Sequence, residues 1–286
     1  MGLINRRTVL AATLSCPVVA RAAGKPALYA KTELSYASQS TQQRLDLYTP
    51  RDGAGPFPVV MWIHGGNFFA GDKSLMPFAD RRPAPTQPNE RPYQIQVPDV
   101  DALIQMGYAV ISLNYRLGGA NRETAVFNAV TDAKAAMRYL RANSETLRLD
   151  PSRIAVWGNS AGGFMAMMLG IAGSQKTDFD GANAGSESSA VQAVISWYGA
   201  ADVFAPPLQM APYIERAKNL PPFLIVNGKL DTIVRAEWAE KVQEELQKRG
   251  ARSTLTLVDG AGHEDPLFRK TQMQPAFAFI QKSLAH

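Results

Sequence analysis

Cysteine and histidine are scarce in this chain of 286 residues. The single cysteine is Cys16, and the three histidines are His64, His263 and His286. One cysteine cannot form a disulfide within the chain, and three scattered histidines cannot build the usual zinc sites. A glycine-rich motif that opens a helix over a nucleotide phosphate is missing as well. The sequence therefore predicts no metal and no cofactor.

Long apolar runs and basic stripes are also missing. The mostly apolar run near the start, residues 8–20, is shorter than the roughly 20 residues that a membrane-spanning helix needs. Lysine and arginine are not interleaved with aromatic residues, although the formal net charge is +5. These absences argue against a stable membrane span and against nucleic acid as a partner.

Residues 1–22 resemble an export signal. They begin with a basic segment containing Arg6 and Arg7, continue with the apolar run, and end in small residues typical of a cleavage site. Paired arginines are a feature of the twin-arginine route. We therefore predict an exported protein, periplasmic or extracellular, in which residues 23–286 form a single domain. The alternative is an amphipathic N-terminus that is not cleaved.

Removal of residues 1–22 would change both the charge and the cysteine content. It takes away Arg6, Arg7 and Arg21, so the formal net charge falls from +5 to +2. It also takes away Cys16, and a mature chain without cysteine has no thiol nucleophile and tolerates an oxidising compartment. A lipid anchor on Cys16 is the alternative, although the residues before it fit such a signal poorly.

Strand-like and helix-like segments alternate along the chain. This order predicts an α/β fold, with a mostly parallel central sheet and helices on both faces. The predicted strands are residues 44–49 (as an edge strand), 58–63, 108–113, 153–157, 191–197, 223–226 and 254–258. The predicted helices are residues 126–141, 161–171, 235–249 and 275–284. Two longer connections, residues 76–98 and 173–189, are either functional loops or solvated insertions.

The strongest local motif is Gly-Asn-Ser-Ala-Gly at residues 158–162. It matches G-x-S-x-G and lies between a predicted strand and a predicted helix, which is the context that a nucleophile elbow requires. Small residues on both sides of Ser160 permit a tight turn that exposes its hydroxyl. The helix starts directly after this serine, so its free amides face the hydroxyl. We predict Ser160 as a catalytic nucleophile, the alternative being a glycine-rich turn with a capping serine.

Residues 64–67, His-Gly-Gly-Asn, follow a predicted strand and suit an oxyanion-stabilising loop. Backbone amides approach a developing negative charge closely only where the side chains are small. We predict that the amides of Gly65, Gly66 and Ala161 form the oxyanion hole. Asparagine tolerates a left-handed backbone, so Asn67 fits the turn, and its side chain is predicted to contact the substrate.

A serine hydroxyl is a weak nucleophile and needs a base. His286 is the last residue of the chain. His64 belongs to the oxyanion loop, which it and the charged pair in residues 71–73 are predicted to hold in place. His263 remains, between glycine-rich residues and after a predicted strand, and we predict it as the general base.

The base needs a carboxylate that orients it and stabilises its charged form. Asp231 follows the predicted strand 223–226 and a short turn, so it is the predicted acid. Asp202 is the alternative, because it also follows a predicted strand. Asp259 and Asp265 are close to the histidine in sequence, which makes them less suitable.

Several segments together resemble the bacterial feruloyl/acetyl-xylan-esterase-like branch of the α/β-hydrolases. The matching segments are residues 45–50, 64–67, 71–73, 114–117, 158–163, 191–194, 197–199, 221–225 and 260–263. The resemblance implies an α/β-hydrolase fold and the chain order serine, aspartate, histidine. Two departures, Asn-Gly-Lys at residues 227–229 and Arg235 where relatives often have proline, remove no member of this triad.

This resemblance and the triad imply a serine carboxylic-ester hydrolase that acts on short-chain or aryl/carbohydrate esters through an acyl-enzyme. The branch includes carboxylesterases, sugar deacetylases and small-molecule hydrolases, so it does not single out one substrate. An exported serine peptidase or amidase of the same fold and a non-catalytic binding protein of this fold are the alternatives. Residues 76–98 are predicted to form part of the acyl or leaving-group pocket.

Overall fold

The computed structural model describes residues 27–75, 97–181 and 185–285, and within them eight strands form one sheet. The strands are β1 (Tyr29–Ser35), β2 (Arg44–Pro50), β3 (Phe57–Ile63), β4 (Ala109–Leu113), β5 (Leu149–Asn159), β6 (Ala193–Trp197), β7 (Phe223–Gly228) and β8 (Ser253–Val258). Their spatial order is β1-β2-β4-β3-β5-β6-β7-β8. The predicted export signal and most of the connection 76–98 lie outside the described residues.

The sheet is mostly parallel, as predicted. Only the β1–β2 and β2–β4 pairs are antiparallel in the described chain, and the other five pairs are parallel. The expectation that residues 44–49 form an edge strand is wrong, because β1 pairs along the whole of β2. The side chains of β1 are mostly exposed, so its sequence lacks the apolar alternation by which strands are recognised.

Helices cover both faces of the sheet, which confirms the predicted architecture. They are α1 (Val100–Gln105), α2 (Arg122–Ala142), α3 (Ser144–Leu147), α4 (Ala161–Ala172), α5 (Ala211–Arg216), α6 (Ala236–Lys248) and α7 (Leu267–Leu284). Side chains of β3 alternate between two apolar layers, with Met61 in one and Trp62 in the other, as the two-residue period of a strand requires. The first layer packs against α2, α4, α5 and α6, and the second against α1 and α7.

The helix boundaries show where the sequence pattern was insufficient. The predicted helices 126–141, 161–171 and 235–249 correspond to α2, α4 and α6. The predicted start of the last helix is wrong, because α7 begins at Leu267 and contains Pro275 in its interior. Proline is common in the first turn of a helix, which suggested a start there. The unpredicted helices α1, α3 and α5 have at most six residues, too few for a helical period to show.

Candidate active site

The predicted triad residues follow three strands of one half of the sheet. Ser160 comes directly after β5, Asp231 follows β7, and His263 follows β8. These strands are parallel and lie in the order β5-β6-β7-β8. Because the carboxyl ends of parallel strands meet at the same edge of a sheet, three residues that are far apart in sequence converge there.

The three side chains form one line of hydrogen bonds. His263 Nε2 lies 2.9 Å from Ser160 Oγ, and His263 Nδ1 lies 2.8 Å from Asp231 Oδ2. A carboxylate only accepts hydrogen bonds, so Nδ1–H donates to Asp231 and Nε2 accepts from the serine hydroxyl. The side chain of His263 is 7% exposed and that of Asp231 is fully buried. This arrangement can take the proton from the serine hydroxyl.

Ser160 lies in a strained turn. Its φ of 50° and ψ of −121° belong to a region that side-chain-bearing residues rarely adopt. A Cβ atom at Gly158 would collide with the carbonyl group of Gly162, and one at Gly162 would collide with the carbonyl of Ile63. The two glycines of the motif are therefore required by close backbone contacts, and the strain is concentrated at the serine.

Asp231 is oriented by its own turn. Its Oδ1 accepts hydrogen bonds from the amides of Ile233 and Val234, at 2.8 and 2.9 Å. The other oxygen is thereby directed at the imidazole.

The other candidate carboxylates have different partners. Asp202 accepts from the amides of Met210 and Ala211 at the start of α5. Asp259 pairs with Lys229, and Asp265 accepts from an amide at the start of α7. Among the predicted candidates, the structure thus brings Asp231 to the imidazole of His263 and places Asp202 elsewhere.

The predicted oxyanion loop lies against the serine. A Cβ atom at Gly65 would be 3.0 Å from the carbonyl oxygen of Asn159 and 3.1 Å from Ser160 Cβ, so a larger residue would push the loop away from the serine by a few tenths of an ångström. Gly66 has a φ of 113°, and Asn67 has a left-handed φ of 56°, which asparagine tolerates. Gly66, Asn67 and Ala161 all line the same cleft as Ser160. Two of the three residues predicted to supply oxyanion amides, Gly66 and Ala161, therefore lie at the cleft of the serine, and Gly65 packs against Ser160.

His64 holds the oxyanion loop and lies outside the hydrogen-bonded triad. Its ring is buried and stacks on Tyr115 with the ring centroids 4.5 Å apart, and Nδ1 lies 2.7 Å from the carbonyl oxygen of Gly65. The Tyr115 hydroxyl donates to the His64 carbonyl. Burial lowers the pKa of His64 below its usual value of 6.5. A neutral, stacked imidazole of this kind has a structural role.

The charged residues after the loop fasten it, as predicted, and each has a hydrogen-bonded partner on another segment. Lys73 Nζ lies 2.8 Å from Asp46 on β2 and 2.7 Å from Glu33 on β1. Asp72 instead accepts a hydrogen bond from the side chain of Asn114, beyond β4. Lys73 thus ties the loop to β1 and β2, and Asp72 ties it to the segment after β4, because opposite charges and an amide donor are available there.

Ser160 lines a cleft of about 950 Å³. One wall consists of Phe68, Phe164 and Phe204, whose ring centroids are 4.9, 5.9 and 6.1 Å apart and whose planes meet edge to face. Ile233, Val234 and Trp238 are among the other lining residues. A second cleft, of about 380 Å³ beside α2, contains none of the predicted site residues.

Sequence reasoning missed the aromatic residues around the site. Phe204 and Trp238 belong to no recognised motif, and Tyr198, although it lies in the matching segment 197–199, was given no role at the site. A local signal exists only for Tyr198, which follows a buried strand directly, as site residues in parallel sheets often do.

Groups of three or more His, Cys, Asp or Glu side chains suited to a metal are absent from the described residues. Over those same ranges, the structure has no helix that is both long enough and apolar enough to cross a membrane. Cys16 and His286 lie outside the ranges that the structure describes.

Comparison with known proteins finds similarity to esterases. The family model named BD-FAE matches residues 86–217, which include Ser160 but not Asp231 or His263. Esterase LipC of Mycobacterium tuberculosis is 25% identical over 251 residues, which are 77% of this chain and 56% of the relative. The chain thus spans little more than half the length of that relative.

Solved structures show the same fold. A bifunctional GH43-CE protein of Bacteroides eggerthii is 26% identical with a TM-score of 0.71, over 89% of this chain and 35% of that protein. Thermogutta terrifontis esterase 2, solved after phosphorylation by paraoxon, is 22% identical with a TM-score of 0.71, over 93% of this chain and 100% of the other. With its mostly parallel sheet and helices on both faces, the chain has the α/β-hydrolase fold.

Proposed function

We propose that this protein is a serine carboxylic-ester hydrolase that works through an acyl-enzyme. The observation that carries the proposal is the line of hydrogen bonds from Ser160 Oγ through His263 to Asp231, at 2.9 and 2.8 Å. This line ends in a cleft wide enough for a small ester. Esterases among the relatives support the same activity.

The first half of the reaction forms the acyl-enzyme. Ser160 Oγ attacks the ester carbonyl carbon while His263 Nε2 takes the hydroxyl proton, and the carbonyl electrons move to the oxygen. The amides of Gly65, Gly66 and Ala161 stabilise this oxyanion. Removal of one such donor typically lowers the rate about 100-fold or more. The intermediate then expels the alcohol, to which His263 returns the proton.

The second half releases the acid. Water attacks the acyl carbonyl while His263 Nε2 takes one of its protons, and the second oxyanion occupies the same amides. Collapse of this intermediate returns the proton to Ser160 Oγ and frees the carboxylic acid. Asp231 stabilises the positive imidazole in both halves, because its buried carboxylate cannot be screened by water.

The proposed substrates are short-chain or aryl esters, including aryl and acetyl esters of carbohydrates, and the lining of the cleft supports this proposal. Phe68, Phe164 and Phe204 offer edge and face contacts to a flat acyl group or a sugar ring. An exported enzyme would meet such esters outside the cytoplasm. The export and its route are proposals that depend on residues 1–22 alone.

A series of p-nitrophenyl esters from acetate to decanoate tests the activity, with Ser160→Ala as the control. We expect turnover of the short esters by the wild type and none above background by the variant. Matched p-nitroanilides distinguish an esterase from an amidase. Turnover that survives in Ser160→Ala, or an inactive wild type on every ester, contradicts the proposal.

Covalent labelling tests the nucleophile independently. Paraoxon phosphorylates the Thermogutta terrifontis relative, and the same reagent should add one diethylphosphoryl group to this protein. Peptide mass spectrometry should locate the group on Ser160 and find none in Ser160→Ala. A label on another residue would exclude Ser160 as the nucleophile.

A further inference from the structure

Tyr198 is a buried aromatic residue that contacts the proposed base and has no assigned role. It follows β6 directly, is fully buried and has a left-handed φ of 40°. A bulky residue at positive φ is a conformational outlier, which persists only when its surroundings impose it. Such strain in a fully buried residue beside an active site suggests a functional reason for it.

The backbone at this point connects the strands that carry the triad. The amide of Tyr198 donates to the carbonyl of Val226 on β7, at 2.7 Å, and β7 leads to Asp231. The preceding carbonyl, that of Trp197, accepts from the amide of Ser160 at 2.9 Å. The strained backbone of Tyr198 therefore has one neighbour on the acid side of the site and one on the nucleophile side.

The side chain makes a second set of connections. Its ring meets the His263 ring edge to face, with centroids 5.0 Å apart and planes at 69°. Its hydroxyl accepts a hydrogen bond from the side-chain amide of Asn159, at 3.1 Å. Asn159 is buried and directly precedes Ser160. One side chain thus spans the base and the neighbour of the nucleophile.

His263 needs such a contact for a geometric reason. Its two hydrogen bonds run through Nδ1 and Nε2, on opposite sides of the ring. Bonds in that arrangement fix the position of the ring but restrain its tilt about the line between the two nitrogens only weakly. The histidine also lies in a loop after β8, a half-exposed strand at the edge of the sheet, so its own backbone offers little support.

We propose that Tyr198 is a positioning residue whose ring fixes the tilt of the His263 imidazole. The inference depends on the proposed function, because it assigns Tyr198 to the same proton transfer. The ring carries the effect, and its hydroxyl serves to anchor it to Asn159. Misplacing a catalytic group by about 1 Å costs on the order of 100-fold in rate, so the loss of the ring should be large.

Kinetics of three variants test the proposal. Tyr198→Leu removes the ring and should lower kcat about 10- to 100-fold with little change in KM, since the contact acts on chemistry and not on substrate binding. Tyr198→Phe keeps the ring and should restore most of kcat. Phe268→Leu is the matched control, because Phe268 packs on Trp197 and Tyr198 in the same cluster. It should lower stability and leave kcat close to that of the wild type.

Two results would overturn the proposal. One is a kcat in Tyr198→Leu no lower than in Phe268→Leu, which would make Tyr198 an ordinary core residue. The other is an equal loss in Tyr198→Phe and Tyr198→Leu, which would assign the effect to the hydroxyl. If Tyr198→Leu does not fold, Tyr198→Met, which fills more of the space without a ring, replaces it.

Proton NMR separates this inference from the proposed function. The proton shared by His263 Nδ1 and Asp231 should give a downfield signal that is sharp in the wild type and in Tyr198→Phe. It should broaden in Tyr198→Leu, because a ring free to tilt exchanges that proton faster. An inactive wild type would contradict the esterase proposal, whereas an unchanged signal in Tyr198→Leu would contradict the positioning role alone.

Discussion

Two buried polar regions of this molecule are built in different ways. The first is the α2 charge cluster, which comprises Arg116, Asp132, Lys134, Arg138 and Asp180. Here Arg116 binds Asp132 through several bonds as short as 2.7 Å, and Asp180 binds Lys134 and Arg138 at 2.8 and 2.9 Å. Each of these charges has an opposite partner, and three of the five residues lie on the regular helix α2.

The second region is the triad site, where strained backbone conformations are concentrated. Ser160, Tyr198 and Glu264 have left-handed φ values of 50°, 40° and 56°. The serine hydroxyl at the end of the hydrogen-bonded line faces a cleft. Charge pairing without strain stabilises a fold, whereas strained residues around a reactive hydroxyl have a cost that stability alone does not explain. Substitutions should therefore change mainly stability in the first region and mainly rate in the second.

The largest expected effect is on the rate of Asp231→Asn. The amide can still accept from the Ile233 and Val234 amides, so the turn should fold normally. It cannot stabilise the charged imidazole, and it favours the wrong tautomer, so kcat should fall about 10⁴-fold. Ester hydrolysis and thermal unfolding measured together should show a large loss of rate and a nearly unchanged Tm.

Asp202→Asn is the matched control for this variant. Asp202 caps the start of α5 and was the alternative acid in the sequence. The rate should stay within about threefold of the wild type, because the residue has no place in the proton transfer. If Asp202→Asn lost as much activity as Asp231→Asn, the assignment of the acid would be wrong.

The next effect is on the stability of Asp180→Asn in the α2 charge cluster. This change leaves two cations without their carboxylate, and Lys134 is fully buried. Removing one partner from a buried ion pair typically costs 3–5 kcal/mol, and because Asp180 is 18% exposed we expect about 3 kcal/mol. Urea unfolding should show this loss, while kcat of the folded protein stays the same.

Lys134→Met sharpens the same test. It removes one cation and leaves Asp180 paired with Arg138, so the loss should be clearly smaller than in Asp180→Asn. A larger loss of stability in Lys134→Met than in Asp180→Asn would show that the buried lysine, and not the carboxylate, contributes most to the stability of the cluster.

The same contrast explains which parts of the fold could be predicted. Strands β3, β4, β6 and β7 are buried apolar runs that were recognised at nearly their true bounds, whereas β5 extends beyond the predicted residues 153–157 at both ends. Strand β1 is held by backbone hydrogen bonds to β2 and not by burial. Such bonds do not depend on side chains, so they cannot be recognised in the sequence of one strand. Pro275 shows that a strong local preference can be overridden inside a long packed helix.

The residues of the site also differ in how far they could be predicted from the sequence. Ser160 could be located because the turn around it needs small residues at fixed spacing, which is a local requirement. Asp231 and His263 were located by elimination and chain order. Phe204 and Trp238 could not be found, because in sequence they look like any core aromatic and only the packing of distant segments brings them to the cleft. The contact between Tyr198 and His263 could not be found either, because it joins residues far apart in sequence.

A smaller effect concerns the strain at the nucleophile. Ser160→Gly and Ser160→Ala both lack the hydroxyl, but only glycine relaxes at a φ of 50°. We expect Ser160→Gly to be more stable than Ser160→Ala by about 1 kcal/mol. This difference is what remains after glycine has made the unfolded chain more flexible, which by itself favours unfolding. Urea unfolding of the two inactive variants measures the difference.

Ala133 on α2 provides the comparison for that difference. Ala133→Gly in this regular, buried helical position should lose about 1 kcal/mol, the opposite sign. If glycine destabilised both positions, the backbone at Ser160 would not be strained, and the contrast between the two regions would lose its basis.

The smallest effect is a pH dependence of stability that originates at His64. Burial lowers the pKa of this histidine below 6.5, opposed by the Gly65 carbonyl and the charge of Asp72. Below pH 6.5 the unfolded chain therefore binds a proton that the folded protein does not, and stability falls as the pH falls. Between pH 6.5 and 5.5 this one group contributes at most about 1 kcal/mol.

His64→Gln isolates the contribution, because glutamine can still donate to the Gly65 carbonyl but does not titrate. The free energy of unfolding should be lower in the variant at pH 7.5, and the gap to the wild type should narrow by up to about 1 kcal/mol between pH 6.5 and 5.5. A constant gap would mean that the folded protein protonates His64 as easily as the unfolded chain does. The stacked ring would then tolerate charge, and the oxyanion loop would depend on its glycines and on Lys73 more than on a neutral imidazole.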